Sequence, residues 1–142
     1  MTTPVTVAGD RPQLNELGFY ALAGAPKSPA ELFDDIPAGE ALGLGSAFLS
    51  ERFNIKEAAT LSGAVAAVSR NLGIATAATN HNTRHPVVTA AYATTMHRLT
   101  GGRFTLGLGR GVEKLFDALG IPRIKTAQIE VFVGIARRLF AG

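Results

Sequence analysis

Residues 74–99 read IATAATNHNTRHPVVTAAYATTMHRL, and the order of residue types in this stretch is that of a strand, a polar loop and a helix. The apolar run Leu72–Thr79 has the length of a buried strand, and Pro86–Leu99 carries apolar residues at helical spacing. The loop between them holds two of the three histidines of the chain, two asparagines and an arginine. The stretch therefore predicts one βα unit with an unusually polar connection.

Three further apolar runs have strand length, namely Leu17–Ala23, Leu44–Ser50 and Arg103–Gly109. With Leu72–Thr79 they start at residues 17, 44, 72 and 103, so that successive starts lie 27, 28 and 31 residues apart. A βα unit takes about 30 residues, and nearly continuous apolar strands are typical of a parallel sheet covered by helices. The spacing predicts an α/β fold and leaves open a doubly wound sheet or part of a (β/α)₈ barrel.

Helices are expected between these strands. The segment Ser28-Pro29-Ala30-Glu31 has the residues of a capping box with proline in the first turn, and Lys56–Arg70 is rich in alanine. A last helix is predicted over Thr126–Phe140. Pro37 removes a backbone donor inside the first helix, so we expect that helix to be bent or weakened there.

Composition excludes several classes of function. The chain has 142 residues, no cysteine and a formal net charge of +3, and its 14 lysines and arginines are scattered rather than clustered. These features exclude disulfides and cysteine-bound metals and give no nucleic-acid patch. Residues 1–16 lack an apolar signal segment and read as a flexible tail, with one domain over residues 17–142. No stretch has the length of a membrane span, so we expect a cytoplasmic protein without a membrane partner.

Polar residues follow the predicted strands at Glu51-Arg52, Asn80–His85 and Arg110-Gly111. Ligands bind at the carboxyl ends of parallel strands in both candidate architectures, so these loops are the predicted binding face. The alternative for the histidine loop is that Asn and Thr supply turn chemistry while His85 starts the helix. A metal site is not predicted, since no carboxylate lies near His81 and His85.

The segment Gly107-Leu108-Gly109-Arg110-Gly111 lets backbone N–H groups approach a phosphate or a ring. Alternatively, Gly107 and Gly109 make room for neighbouring side chains. A dinucleotide fingerprint would have Gly or Ala in place of Val112 and would lie on the first strand, so a Rossmann-like nucleotide binder is a poor match.

In order and spacing, several segments resemble the luciferase-like monooxygenase family, and more narrowly its oxidoreductases that use the deazaflavin coenzyme F-420. They are Arg84-His85-Pro86, the run LTGGRFTLGLG over residues 99–109, ALGIP over residues 118–122 and the helix ending RLF at residues 138–140. The resemblance implies a TIM-type (β/α)₈ barrel with a flavin or deazaflavin across the carboxyl ends of the strands. It also implies hydride transfer to or from a small organic substrate, with FMN as the alternative cofactor.

The resemblance further implies roles for single residues. Glu51 and Arg52 match an acidic residue followed by a catalytic histidine, and since a guanidinium stays protonated, Arg52 is expected to orient substrate or stabilise negative charge. Thr76, Ala77 and Ala78 match the place where some members bend the chain under the ring, often through a strained non-prolyl peptide. Asn80 and His81 are expected to line the substrate or ring side, with His81 a catalytic candidate. The cofactor-contacting turn corresponds to Gly109, Arg110 and Gly111.

A full barrel takes about 250 residues, whereas this chain accounts for about four strands. We therefore expect the N-terminal half of such a barrel, without the phosphate-binding loops after strands seven and eight. Half a barrel leaves its outer strands unpaired, which predicts weak stability, self-association or pairing with a complementary half barrel. The alternative to a functional oxidoreductase is thus a non-catalytic truncated half barrel that is inactive or needs a partner chain.

Overall fold

The computed structural model describes residues 13–53 and 55–142, which form six strands and five α-helices. The strands are β1 (Leu14–Tyr20), β2 (Leu44–Leu49), β3 (Gly73–Thr76), β4 (Thr79–Asn80), β5 (Phe104–Thr105) and β6 (Leu108–Gly109). The helices are α1 (Leu32–Ala41), α2 (Ala58–Val68), α3 (Pro86–Leu99), α4 (Glu113–Leu119) and α5 (Thr126–Ala141), and a 3₁₀ turn, Pro29–Glu31, precedes α1.

The main sheet has the strand order β1-β2-β3-β5, and every pair in it is parallel. A second sheet of two short strands pairs β4 with β6, also in parallel. The main sheet adds each strand beside the previous one, without the reversal of order that defines a doubly wound sheet. This confirms the predicted parallel βα units and resolves the alternative in favour of the barrel-type arrangement, with four strands in one sheet.

The core lies between the main sheet and the helices. Alternate residues of the strands, such as Ala47, Leu49 and Ile74, are almost fully buried and pack in one cluster with apolar residues of the helices. Tyr20 and Phe48 occupy paired positions of β1 and β2, and Tyr20 is half exposed. One face of the sheet is therefore covered by helices, and the other carries aromatic groups that are open to solvent.

The first strand begins earlier than predicted, so residues 14–16, expected in the tail, belong to β1. Leu14 N donates to the Gly43 carbonyl at 2.7 Å, and Gly45 has no side chain that would collide with the backbone of Asn15. The remainder of the predicted tail, up to residue 12, lies outside the described residues.

The third and fourth predicted strands are each interrupted near their carboxyl end, giving β3 and β4 from one and β5 and β6 from the other. Helix α4 was not predicted from the sequence, whereas the helices starting near residues 58, 86 and 126 were. Helix α1 is continuous across Pro37, and the expected bending or weakening there stays a prediction. The capping box at Ser28 and Glu31 is confirmed, since the Ser28 hydroxyl accepts from Ala30 N and Glu31 accepts from Ser28 N.

Across residues 13–53 and 55–142, none of the helices combines the length and the apolar character that crossing a bilayer requires.

Candidate active site at the carboxyl ends of the strands

Glu51, directly after β2, is the centre of a buried network. Its Oε2 accepts from the Thr79 hydroxyl at 2.5 Å and from Asn80 N at 2.8 Å, and its Oε1 accepts from Arg84 Nη2 at 2.6 Å. A fourth bond, from Arg84 Nη1 to Oε2, is 3.2 Å long. An ionised carboxylate offers about four lone-pair sites. Glu51 accepts four hydrogen bonds within the protein, three of them at Oε2, and so fixes the ends of two strands and the following loop.

Arg84 joins this network to helix α2. Its guanidinium also contacts Glu57, whose carboxylate caps α2 by accepting from Ala59 N and Thr60 N. Burial alone would lower the pKa of Arg84, but the hydrogen bond and the charge of Glu51, with a contribution from Glu57, raise it. Burial would likewise raise the pKa of Glu57, and the hydrogen bonds from Thr60 and Ala59 together with the charge of Arg84 lower it. Arg84 and Glu57 therefore both stay charged at neutral pH.

Thr76, predicted to contact cofactor, has no side-chain atom available to a ligand. It is 2% exposed, and its hydroxyl accepts from Gly107 N and donates to the Gly107 carbonyl, both at 2.8 Å. A Cβ on Gly107 would lie 2.0 Å from the Thr76 carbonyl oxygen. The Thr76 side chain bonds to the neighbouring strand, where both strands are interrupted, and its predicted contact with cofactor stays a prediction.

The segment just beyond Thr76 contains a cis peptide bond between Ala77 and Ala78, inside the region predicted for a non-prolyl bend. Both residues are half-buried. The Tyr20 hydroxyl, from the far side of β2, donates to the Ala77 carbonyl at 2.5 Å, and Glu51 N donates to the Ala78 carbonyl at 3.0 Å. The bend is thus held from two sides, and Tyr20 is a residue that the sequence did not single out.

A pocket of about 330 Å³ opens beside this bend. It unites four predicted site residues from three separate loops with part of α4, and its lining is Glu51, Arg52, Phe53, Asn80, Gly111, Val112, Lys114 and Leu115. Asn80 is 5% exposed, and its side-chain amide has no hydrogen-bond partner among the described residues. An unpaired amide in the wall of a concave site is available to a ligand.

His81 lies apart from this pocket. It is 3% exposed, its Nδ1 lies 3.0 Å from the Gly109 carbonyl, and its ring packs edge-on against Phe132 of α5 at 5.6 Å. Its Nε2 is buried and has no partner among the described residues. Asn80, the last residue of β4, lines the pocket, whereas His81 lies just beyond the strand and its ring packs against α5. A contact of His81 with substrate stays a prediction that this packing does not support.

The glycines after β5 are explained by packing. A Cβ on Gly109 would lie 3.0 Å from the Ala78 Cβ, and one on Gly111, where φ is +75°, would lie 2.7 Å from Asn80 Oδ1. This agrees with the alternative that such glycines make room for neighbours. Arg110 between them is exposed, and its predicted contact with cofactor stays a prediction.

Comparison with known proteins decides the family. The model of the luciferase-like monooxygenase family matches residues 7–140. The chain belongs to this family. A monooxygenase from Streptomyces bottropensis superposes with a TM-score of 0.74 at 24% identity, over 88% of this chain and 43% of that one. These luciferase-like barrels confirm the fold predicted from the sequence.

Two further relatives are a reductase and a second monooxygenase. A 5,10-methylenetetrahydromethanopterin reductase from Methanopyrus kandleri is 28% identical over 94 residues, which cover 66% of this chain and 27% of that protein. The oxygenating constituent of 3,6-diketocamphane monooxygenase from Pseudomonas putida, solved with FMN, has a TM-score of 0.60 at 23% identity, over 87% of this chain and 36% of that one. The chain spans about a quarter of the length of the curated relatives it matches.

Proposed function

We propose that this luciferase-like chain contributes to an oxidoreductase site that holds coenzyme F-420, with FMN as the alternative, and moves a hydride to or from a small organic substrate. Family membership supports the proposal, and so do the names of the relatives. The tetrahydromethanopterin reductase structure from Methanopyrus kandleri is described as dependent on coenzyme F-420, and the Pseudomonas structure contains FMN. The observation that carries the proposal is the unpaired Asn80 amide in the pocket beside the Ala77–Ala78 bend.

The residues at this rim fit a flat aromatic group. Ala77 and Ala78 present only methyl groups, Gly109 and Gly111 present none, and Asn80 adds an amide that can donate and accept. Together with Arg110, these residues would hold the ring. When bound, a reduced deazaflavin or flavin supplies a hydride to an electrophilic carbon.

The two charged residues after β2 have different tasks in this proposal. Glu51 is buried, accepts four hydrogen bonds and is paired with Arg84, so its task is to position Asn80 and the loop that leads to α3 rather than to transfer a proton. Arg52 is exposed and lines the pocket, and a guanidinium offers hydrogen-bond donors and no acceptor. It is therefore suited to stabilise negative charge on a substrate and unsuited to exchange a proton with it.

Titration of coenzyme F-420 and of FMN with the purified chain, followed by the fluorescence of each cofactor, tests the proposal. We expect micromolar binding of one of them, weakened about tenfold in Asn80→Ala, which corresponds to about 1.4 kcal/mol. Asn71→Ala, at the opposite end of the sheet, is the matched control and should bind as the parent does. Unchanged fluorescence at millimolar protein, with a folded chain by circular dichroism, would contradict it.

A second candidate function rests on the open edges of the sheet. Within residues 13–53 and 55–142, strands β1 and β5 each have a neighbour on one side only, and the chain corresponds to 43% or less of the solved relatives compared above. A non-catalytic half barrel that requires complementary strands is compatible with both facts. Binding of cofactor by the chain alone would exclude the inactive form of this alternative.

A further inference from the structure

The pocket beside Asn80 has an excess of positive charge. Arg52 from the β2 loop and Lys114 from α4 line it, and neither side chain forms an ion pair or hydrogen bond among the described residues. The only carboxylate in its lining is Glu51, which Arg84 neutralises. The pocket therefore presents two unpaired cations and no uncompensated anion.

A neighbouring pocket of about 350 Å³ extends this charge. It shares Glu51, Arg52 and Phe53 with the first and adds Lys56 and Glu57 to the lining. Glu57, like Glu51, is paired with Arg84. Lys56 is 6% exposed and donates from Nζ to the Leu22 carbonyl at 2.6 Å. Burial lowers the pKa of Lys56, and the charge of Arg52 lowers it further, so the two cations repel each other.

Packing between the two walls keeps the pocket in shape. Phe53, next to Arg52, contacts Phe116 of α4 edge-on at a centroid distance of 6.2 Å, and Phe116 is 1% exposed. Gly111 approaches the same ring, because a Cβ there would lie 3.1 Å from Phe116 Cε1. The two cations are thus carried by elements that are fixed against each other.

We infer that the substrate is a small organic anion, a carboxylate or a phosphate ester, whose charged group lies between Arg52 and Lys114. This inference rests on the proposed function and names the substrate class of that site. Arg is suited to bidentate contact with carboxylate and phosphate, and Lys adds a point charge. A pocket of about 330 Å³ suits a ligand with one ring and its polar substituents.

Nuclear magnetic resonance titration of the ¹⁵N-labelled chain tests the inference, with benzoate and phenyl phosphate as anionic probes and benzyl alcohol as a neutral probe of similar size. We expect the anions to shift the Asn80 side-chain and Gly111 amide signals and to bind at least about tenfold more tightly than benzyl alcohol, or ~1.4 kcal/mol. Whichever anion binds more tightly identifies the charged group. Equal binding of all three probes would overturn the inference.

Single substitutions test which residues bind the anion. Arg52→Gln and Lys114→Gln should each weaken binding of the tighter anion about fivefold or more without changing that of benzyl alcohol, and Arg52→Lys should restore part of the loss. Arg70→Gln makes the same charge change at an exposed position at the other end of the sheet and should have no effect. Full anion affinity in Arg52→Gln and Lys114→Gln would overturn the inference.

A competition experiment distinguishes a substrate site from a site for the phosphate of the cofactor. Anion binding that persists with saturating FMN supports a substrate site, whereas displacement by FMN but not by riboflavin, which lacks the phosphate, overturns the substrate assignment. The two proposals fail separately. Loss of charge selectivity with intact cofactor binding rejects only the substrate class, and anion selectivity without cofactor binding rejects only the redox function.

Discussion

Arg84 Nη2 lies 2.6 Å from Glu51 Oε1, and the two side chains are only 15% and 6% exposed. This pair connects the end of β2 to the loop before α3 across 33 residues of sequence. Removing one partner of a buried pair leaves the other charge without compensation, which is far more costly than the net value of the pair.

We therefore expect Arg84→Met to lower the free energy of unfolding by about 3 kcal/mol. Urea denaturation followed by circular dichroism measures this. The control is Arg123→Met, which removes the exposed pair with Asp117 and should have no measurable effect. In the double variant Glu51→Gln with Arg84→Met, the loss should be smaller than the sum of the single losses, and strict additivity would contradict the described network.

Stability should fall in acid because of Glu40. Burial alone would raise its pKa, but hydrogen bonds from Asn71 N, the Ser69 hydroxyl and Arg70 N hold the pKa below its ordinary value of 4.5. A lowered pKa in the folded state means that the unfolded state takes up protons first. The contribution of Glu40 is therefore complete above about pH 5 and is lost as the pH falls through the folded-state pKa. Urea midpoints from about pH 7 to about pH 3 should decrease less in Glu40→Gln than in the parent.

Stability should also fall in alkali, because of Tyr92. Burial raises its pKa to about 12, although the hydrogen bond that its hydroxyl donates to Ser62 Oγ at 2.8 Å lowers the pKa somewhat. The folded state therefore keeps its proton longer than the unfolded state does, and this stabilisation is complete below about pH 10 and lost as the pH rises towards 12. Phenolate absorbance should show a late transition that Tyr92→Phe abolishes. Its persistence in Tyr92→Phe would contradict the assignment.

Gly107 should tolerate no side chain. A Cβ would lie 2.0 Å from the Thr76 carbonyl, a backbone atom that cannot rotate away. We expect Gly107→Ala to lower stability by about 3 kcal/mol, the upper part of the usual range for overpacking. Gly63→Ala is the control, because its Cβ would meet nothing within 4 Å and alanine favours helix α2 by about 0.5–1 kcal/mol. Equal stability of the two variants in a thermal melt would refute the close approach.

The open edge of β1 predicts self-association. Leu17 in this strand is 53% exposed, and an edge strand with exposed apolar side chains favours pairing with another chain. Sedimentation velocity should show concentration-dependent association that Leu17→Lys reduces. Phe33→Lys changes a residue that is equally exposed on α1 and should leave association unchanged. A monomer at all concentrations would contradict this prediction.

The sequence predicted the parts of this molecule that depend on local pattern. The four apolar runs and their spacing gave the parallel βα units, and polar residues at strand ends gave Glu51, Arg52, Asn80 and Gly111, which do share one pocket. The sequence did not predict that the third and fourth strands are interrupted side by side, since this depends on hydrogen bonds between the Thr76 hydroxyl and the backbone of Gly107.

Contacts between residues that are distant in sequence explain most of the other features that the sequence did not predict. The role of Arg84 follows from its distance to Glu51 and Glu57, which no motif encodes. Asn80 and His81 look equivalent in sequence, and only the strand register shows that the amide faces the pocket while the imidazole packs against α5. Helix α4 has only seven residues and follows a glycine-rich turn, so the sequence pattern does not indicate it.

The short sheet β4–β6 is separate from the four-stranded sheet, and the hydrogen bonds between Thr76 and Gly107 lie where the two sheets meet. Because the core cluster belongs to the four-stranded sheet and its helices, exposed side chains near the short sheet, such as Arg52 and Arg110, can be exchanged at little cost in stability, whereas the buried pair of Glu51 and Arg84 cannot. This separation allows the chemistry of the pocket to change, in evolution or by design, while the core that stabilises the fold stays the same.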